Sequence, residues 1–179
     1  MIKHMFSTPV GFYELPVSPE MRHEVMNATL LDFYDLWQIR LGQNLSLLKG
    51  QIQKNAEHYA MQCFDNYMSK AKPVIVEGKI NVQYPGDYFP LHSHSHAHIA
   101  CVYYVTTPEN GGKLLLVDPR GDTNWNDRID GKYSNVSYQS IEPKQGMMIF
   151  FPSYVQHMVE PNKSDGVRVS VVTNLYMKR

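Results

Sequence analysis

The chain has 179 residues, 43% hydrophobic and 19% charged, a composition that fits a folded domain and excludes a disordered one. Its 17 Lys and Arg balance 17 Asp and Glu, so no net basic footprint points to nucleic acid or to an anionic membrane surface. No apolar run approaches the roughly 20 residues that cross a bilayer, and the opening MIKHMFSTPVGFYELPVSPE lacks the apolar stretch of a signal peptide, so a cytoplasmic address is expected.

Residues 1–73 read as a largely helical support region. Ser18 is a candidate N-cap, Pro19 suits the first helical position and Glu20 the first turn. Apolar residues at Met21, Val25 and Ala28 lead into a dense patch from Leu30 to Trp37, and Gly42 is read as the end of that helix. Within the patch, Phe33, Tyr34, Leu36 and Trp37 read as helix core, or else as a surface for a homodimer or another partner. Ile52, Ala56, Tyr59, Cys63 and Tyr67 recur at helical spacing and predict one face of a second helix, with Pro73 at or just past its end. The two cysteines, Cys63 and Cys101, form no CxxC pair and read as buried thiols in a reducing compartment.

From residue 74 the texture changes. Short runs rich in Val, Ile, Tyr and Phe, at 74–84, 99–106, 113–117, 136–141, 147–151 and 167–176, are divided by Pro, Gly, Asn and Asp. Short strands with regular turn signals predict a β-sandwich or barrel, and no Gly-rich loop follows a strand to cradle a phosphate. The expected fold is mainly β with N-terminal helices, a jelly roll over 74–179 in a single domain spanning 1–179. The polar stretch 119–138, with Trp125, Tyr133 and Tyr138, reads as a substrate lid or as an ordinary surface loop.

Residues 92–98 read HSHSHAH. On a strand, residues two apart share a face, and four imidazoles on one face make poor surface and worse core. Metal binding explains them, because neutral imidazole is a common ligand for iron, zinc, nickel and copper. A further histidine, His157, follows the apolar run Met147–Phe151. Two ligands from His92-x-His94 and one from His157 would form a three-ligand face with open coordination positions, as catalysis requires. Arg168 and Ser170 alternate with valines on the last strand-like run. A buried arginine needs an anion, and its planar fork suits a carboxylate. A small dicarboxylate reaching from metal to Arg168 would serve; a salt bridge to an acid on a neighbouring strand is the alternative.

These pieces, in this order, resemble a known family. NVQYPGDYFPLHSH (81–94), ACVYYV (100–105), GGKLLLVDPR (111–120), IEPKQGMMIFFPSYVQHMVEPN (141–162) and RVSVVTN (168–174), with FSTPV (6–10) ahead of them, resemble the Fe(II)- and 2-oxoglutarate-dependent oxygenases, in the prolyl-hydroxylase-like branch with its short phage and bacterial members. The resemblance implies a double-stranded β-helix and an oxygenase, hydroxylase in type, that uses Fe(II), 2-oxoglutarate and O₂ on a peptide or small-molecule substrate. It assigns His92 and His157 to iron, and Arg168 with Ser170 to the far carboxylate of 2-oxoglutarate. Tyr103 or Tyr104 takes the aromatic position beside the cosubstrate, with Asn81 and Asn174 as polar groups of the same pocket. The family pattern places Asp or Glu where this chain has His94, leaving the site one unit more positive. By spacing His94 fills that place; His96, His98 or a water molecule are the alternatives.

Two other readings use the same residues. Gly86 followed by His92-x-His94 also resembles the first motif of the cupins, which need no 2-oxoglutarate, although His98 stands where their glutamate would be. The third is a non-catalytic jelly-roll binding or structural protein. Arg168-x-Ser170 discriminates, because only a 2-oxoglutarate enzyme requires it.

Overall fold

The computed structural model describes residues 7–31, 35–63, 71–119 and 138–179. In chain order the elements are β1 (Gly11–Glu14), α1 (Pro19–Ala28), a 3-10 turn at Leu36–Gln38, α2 (Gln43–Cys63), β2 (Lys72–Gln83), β3 (Phe89–His92), β4 (Ile99–Thr106), β5 (Leu114–Val117), β6 (Tyr138–Ile141), β7 (Met147–Pro152), β8 (His157–Val159) and β9 (Arg168–Lys178). The strands form a five-stranded sheet, β1-β7-β4-β9-β2, and a four-stranded sheet, β3-β8-β5-β6. All pairings between them are antiparallel. The chain passes back and forth between two facing sheets, as expected of a jelly roll. Among the described residues no helix is long and apolar enough to cross a membrane.

The central strands of the larger sheet are buried on both faces, and strand alternation splits their residues between two cores. Cys101, Tyr103, Met148, Phe150, Val169 and Val171 pack under the helices. Ala100, Val102, Tyr104, Ile149 and Phe151 face the smaller sheet. This is why ACVYYV and MMIFF read as continuous apolar runs rather than as alternating ones.

The helical region departs from the sequence reading at one point. Helix α1 begins as expected, with Ser18 Oγ accepting from Met21 N at 3.1 Å and Pro19 at its start. It stops at Ala28, well short of Gly42. Thr29 Oγ1 donates to Met26 O there, and Leu36 and Trp37 form a separate, buried turn. Phe33 and Tyr34 lie outside the described residues. Helix α2 buries Leu45, Leu48, Ile52, Ala56 and Tyr59 along one stripe, while Cys63 is half-buried and Tyr67 lies outside the described residues. Pro73 belongs to β2, a sheet-edge strand where a residue without an N–H is tolerated.

Candidate metal centre and its cavity

The smaller sheet places two histidines opposite each other. His92 ends β3 and pairs with His157, the first residue of β8. Opposite residues of an antiparallel pair project from the same face, and the two rings stand 4.2 Å apart. After His92 the chain leaves the strand. His94 N donates to Ser153 O at 3.0 Å, Ser153 N donates to His98 O at 3.1 Å, and Ser153 Oγ donates to Ala97 O. These bonds tie the 94–98 loop to the turn between β7 and β8, and His94 stacks on His157 with ring centroids 5.0 Å apart.

The three side chains each offer a nitrogen, and the three nitrogens lie within 4.8 Å of one another. Carbonyl oxygens can only accept, so Nδ1 of His92 donates to Pro90 O at 2.7 Å and Nδ1 of His157 donates to Val155 O at 3.0 Å. That leaves the Nε2 lone pairs of the neutral rings free to bind a metal. The Nε2 atoms of His94 and His157 face each other at 3.3 Å. Imidazole nitrogens bind a divalent ion at about 2.0–2.1 Å, so two bound at right angles to one ion stand about 3 Å apart. Burial pushes the pKa of both rings down to about 4; the neighbouring His92 adds to the shift, and acceptance by Val155 opposes it at His157. Both are therefore neutral near pH 7, the form that ligates.

A cavity of about 190 Å³ runs from this triad between the two sheets. Its other end is Arg168, 2% exposed, beside Tyr104 and Ser170, which are equally buried. Arg168 Nη1 donates to Gly112 O at 2.9 Å, and its Nε has no partner. Its cross-strand neighbour on β2 is Gln83, not an acid. Among the described residues no ion pair involves Arg168. The guanidinium lies 5.7 Å from the Tyr104 ring centre. The Tyr104 hydroxyl is buried without a partner; burial pushes its pKa up to about 12, against the opposing pull of Arg168, so it stays a donor. A buried guanidinium with a free Nε and no anion beside it, and an unpaired buried hydroxyl, are at one end of a cavity the donors a ligand carboxylate would satisfy. The residues present therefore fit both a divalent metal bound by imidazole and an anionic cosubstrate reaching from it.

The sequence-derived candidates are mostly brought together. His92, His94, His157, Asn81, Tyr104, Arg168, Ser170 and Asn174 all line the cavity. Tyr103 does not, which corrects its assignment to the cosubstrate. It sits one residue from Tyr104 on β4, so alternation turns it to the helical side, where its hydroxyl donates to Leu15 O at 3.0 Å. The expectation of four histidines on one strand face is also corrected. Because the strand ends at His92, His96 and His98 turn out to solvent, and His98 Nδ1 accepts from Met177 N at 3.1 Å. Residues 120–137, most of the candidate lid, lie outside the described residues.

Sequence reasoning missed Glu77 and Lys79, which line the cavity from β2 and pair with each other at 3.0 Å. Their signal was present: Glu77, Lys79 and Asn81 alternate on the strand face that meets Asn174, Val172 and Ser170 of β9. It missed Gly112 as well. The φ of Gly112 is +89°, and a Cβ there would meet Glu160 O at 2.3 Å, so only glycine presents this carbonyl to Arg168.

Residues 80–174, more than half of the chain, match the model of a family described as "Putative 2OG-Fe(II) oxygenase". No curated protein matches the chain. Among solved structures, an oxidoreductase of the 2OG-Fe(II) oxygenase family from Burkholderia pseudomallei is similar at 15% identity over 77% of this chain, with a TM-score of 0.56, and this chain spans 60% of its length. A prolyl-4-hydroxylase from Pseudomonas putida is similar at 17% identity, covering 89% of this chain and 78% of that one, with a TM-score of 0.57. The non-heme alpha ketoglutarate dependent carbocyclase SnoK from nogalamycin biosynthesis is similar at 16% identity, covering 94% and 79%, with a TM-score of 0.60. At such identities these likenesses speak for the fold, and the family match over the site-bearing strands speaks for membership: the chain belongs to the 2OG-Fe(II) oxygenases.

Proposed function

We propose that this protein is an Fe(II)- and 2-oxoglutarate-dependent oxygenase of the hydroxylase type whose metal is held by His92, His94 and His157. One observation carries the reading: a single small cavity has three converging histidines at one end and, at the other, a buried Arg168 with no acidic partner and a free Nε. A ferrous ion with 2-oxoglutarate would supply the activation of O₂ that oxidises a C–H bond; the protein's part is binding, orientation and exclusion of water. The carbonyls of Pro90 and Val155 hold the rings of His92 and His157 with Nε2 turned inward. Phe151 packs edge-on against His157 and fixes its plane. Arg168, Tyr104 and Ser170 receive the far carboxylate of 2-oxoglutarate, while Val102, Leu114, Val159 and Val172 line the stretch between with apolar surface.

With His94 in the place of an acid, the ligand face is neutral, so bound iron keeps one more unit of positive charge than with a carboxylate ligand. That favours anionic chelation by the cosubstrate and makes Arg168 the second fixed point for a dianion. A metalloprotein of cupin type has no use for an unpaired buried arginine at the end of its metal cavity, so the 2-oxoglutarate reading is preferred.

The test is an anaerobic titration of 2-oxoglutarate into the Fe(II)-loaded protein, followed by its visible charge-transfer band. A saturable band is expected for the wild type. Arg168→Ala should weaken binding by about 2–5 kcal/mol, the range for truncating one partner of a buried charged pair. An iron-loaded protein that gives no band would overturn the proposal.

A further inference from the structure

The cavity between the sheets leaves no room for a substrate of any size. At about 190 Å³ it is smaller than the roughly 300–1,000 Å³ of ordinary small-molecule pockets, and a short dicarboxylate stretched from the histidines to Arg168 would use it up. The atom to be oxidised must still approach the metal. His94 borders a second cavity on the outer side of the 93–98 loop, of about 590 Å³. We propose that this second cavity is the substrate site, and that it takes an uncharged, apolar small molecule. The inference rests on the metal-centre reading above.

Three observations support it. The first is continuity: His94 lines both cavities, so a molecule seated in the outer one abuts a metal ligand. The second is charge. Among the described residues no Asp, Glu, Lys or Arg lines the outer cavity; its walls include Pro9, Cys63, Ala97, Pro152, Tyr154 and Met177, with Ser95 and Ser153 as uncharged polar groups. Burial raises the pKa of the Cys63 thiol, which is therefore protonated and neutral. His98 Nδ1 is already engaged as the acceptor for Met177 N. A charged ligand would lose its hydration here and gain no partner. The inner cavity, by contrast, holds Arg168, Lys79 and Glu77.

The third observation separates a small molecule from a peptide. A peptide docks along a strand or loop through free main-chain groups. Here several of those groups are already taken: His94 N by Ser153 O, Ala97 N by His94 O, Ser153 N by His98 O, His98 N by Leu175 O, and Ala97 O by the Ser153 hydroxyl. What remains is apolar side-chain surface and the exposed ring of Tyr154, which suits a molecule held by contact area rather than by a hydrogen-bond ladder.

The experiment uses 6-fluoroindole, a neutral two-ring probe, observed by ¹⁹F NMR. Saturable binding is expected to the Zn(II)-loaded protein, and exchange of Zn(II) for paramagnetic Mn(II) should broaden the bound resonance strongly, because the ring lies beside His94. Ala97→Phe and Cys63→Phe, which fill the cavity from two different elements, should each weaken probe binding at least tenfold while metal affinity stays within twofold. Persistence of probe binding in both variants overturns the proposal. So does binding without Mn(II) broadening, or no saturable binding at all, which would mean that the chain itself fills the cavity. Displacement of the probe by a neutral blocked proline peptide at lower concentration than by indole would assign the site to a peptide and overturn it too. Failure of the underlying reading looks different: neither Zn(II) nor Mn(II) would bind, and the probe would titrate identically into wild type and His157→Ala.

Discussion

At the scale of single residues, the anion-binding end proposed for the cavity depends on polar atoms that the protein itself leaves unpaired. Tyr104 illustrates the consequence. Its hydroxyl has no protein partner, so removing it costs the fold almost nothing, whereas a bound carboxylate would lose a donor. Tyr104→Phe should leave thermal stability within about 0.5 kcal/mol of wild type and weaken 2-oxoglutarate binding by about 1.5–3 kcal/mol, as for a hydrogen bond to a charged group. Paired calorimetric titrations and melting curves check this; a loss of stability larger than the loss of affinity would make the tyrosine structural. The neighbouring Tyr103 is the counter-case. From sequence the two tyrosines were equivalent, because both lie in an unbroken apolar run. Only the register that sets Tyr104 against Ser170 and Tyr103 against Val171 decides which one enters the cavity, and register is a property of the partner strand. Arg168 was legible for the opposite reason: a charged residue between valines has few bland explanations.

At the scale of elements, the wall of the cavity formed by β2 is held from behind by the helical region. Asp35 Oδ1 accepts from Gly78 N at 2.7 Å and from Trp37 N at 3.0 Å, and Trp37 Nε1 donates to Thr173 Oγ1 at 3.2 Å. The Trp37 indole lies against the bare face of Gly78, where an added Cβ would meet Nε1 at 2.1 Å. The register of β2 shifts between Ile75 and Glu77, just before this contact, and the residues flanking Gly78 are Glu77 and Lys79 of the cavity wall. Gly78→Ala should therefore cost about 1–3 kcal/mol by overpacking. Denaturant unfolding measures that loss, and a neutral result would mean that the indole moves freely. The elements themselves differed in legibility. The runs behind β2, β4, β7 and β9 were long and bounded by turn residues, and the short run behind β5 is an unbroken LLLV. Strands β1, β3 and β8 are only three or four residues each, too short to show a period, and they are strands because of what they pair with. The end of α1 was missed because the apolar patch that follows it is buried as a separate turn, so hydrophobic texture continued where the helix did not.

At the scale of the molecule, the same arrangement that builds the site makes the fold sensitive to what fills it. The three histidines come from β3, the loop after it and β8, so their rings meet only when the smaller sheet is assembled. A divalent metal that binds this face and not the unfolded chain should stabilise the protein by about 2.7 kcal/mol at a hundred times its Kd, or roughly 5–10 °C in Tm for a chain of this size. In the metal-free protein the rings work against folding in acid. Burial holds His94 and His157 at about 4, while an unfolded histidine titrates near 6.5. Between those values the unfolded chain binds more protons than the folded one, so stability falls as pH drops through that window and is fully present above it. Melting curves of apoprotein from pH 7.5 to 4.5 should show this decline, and His157→Ala, with one buried imidazole fewer, should show a shallower one. A parallel decline in both proteins would place the acid-sensitive groups elsewhere, and an unchanged Tm on adding Fe(II), Zn(II) or Mn(II) at neutral pH would remove the triad as a metal site.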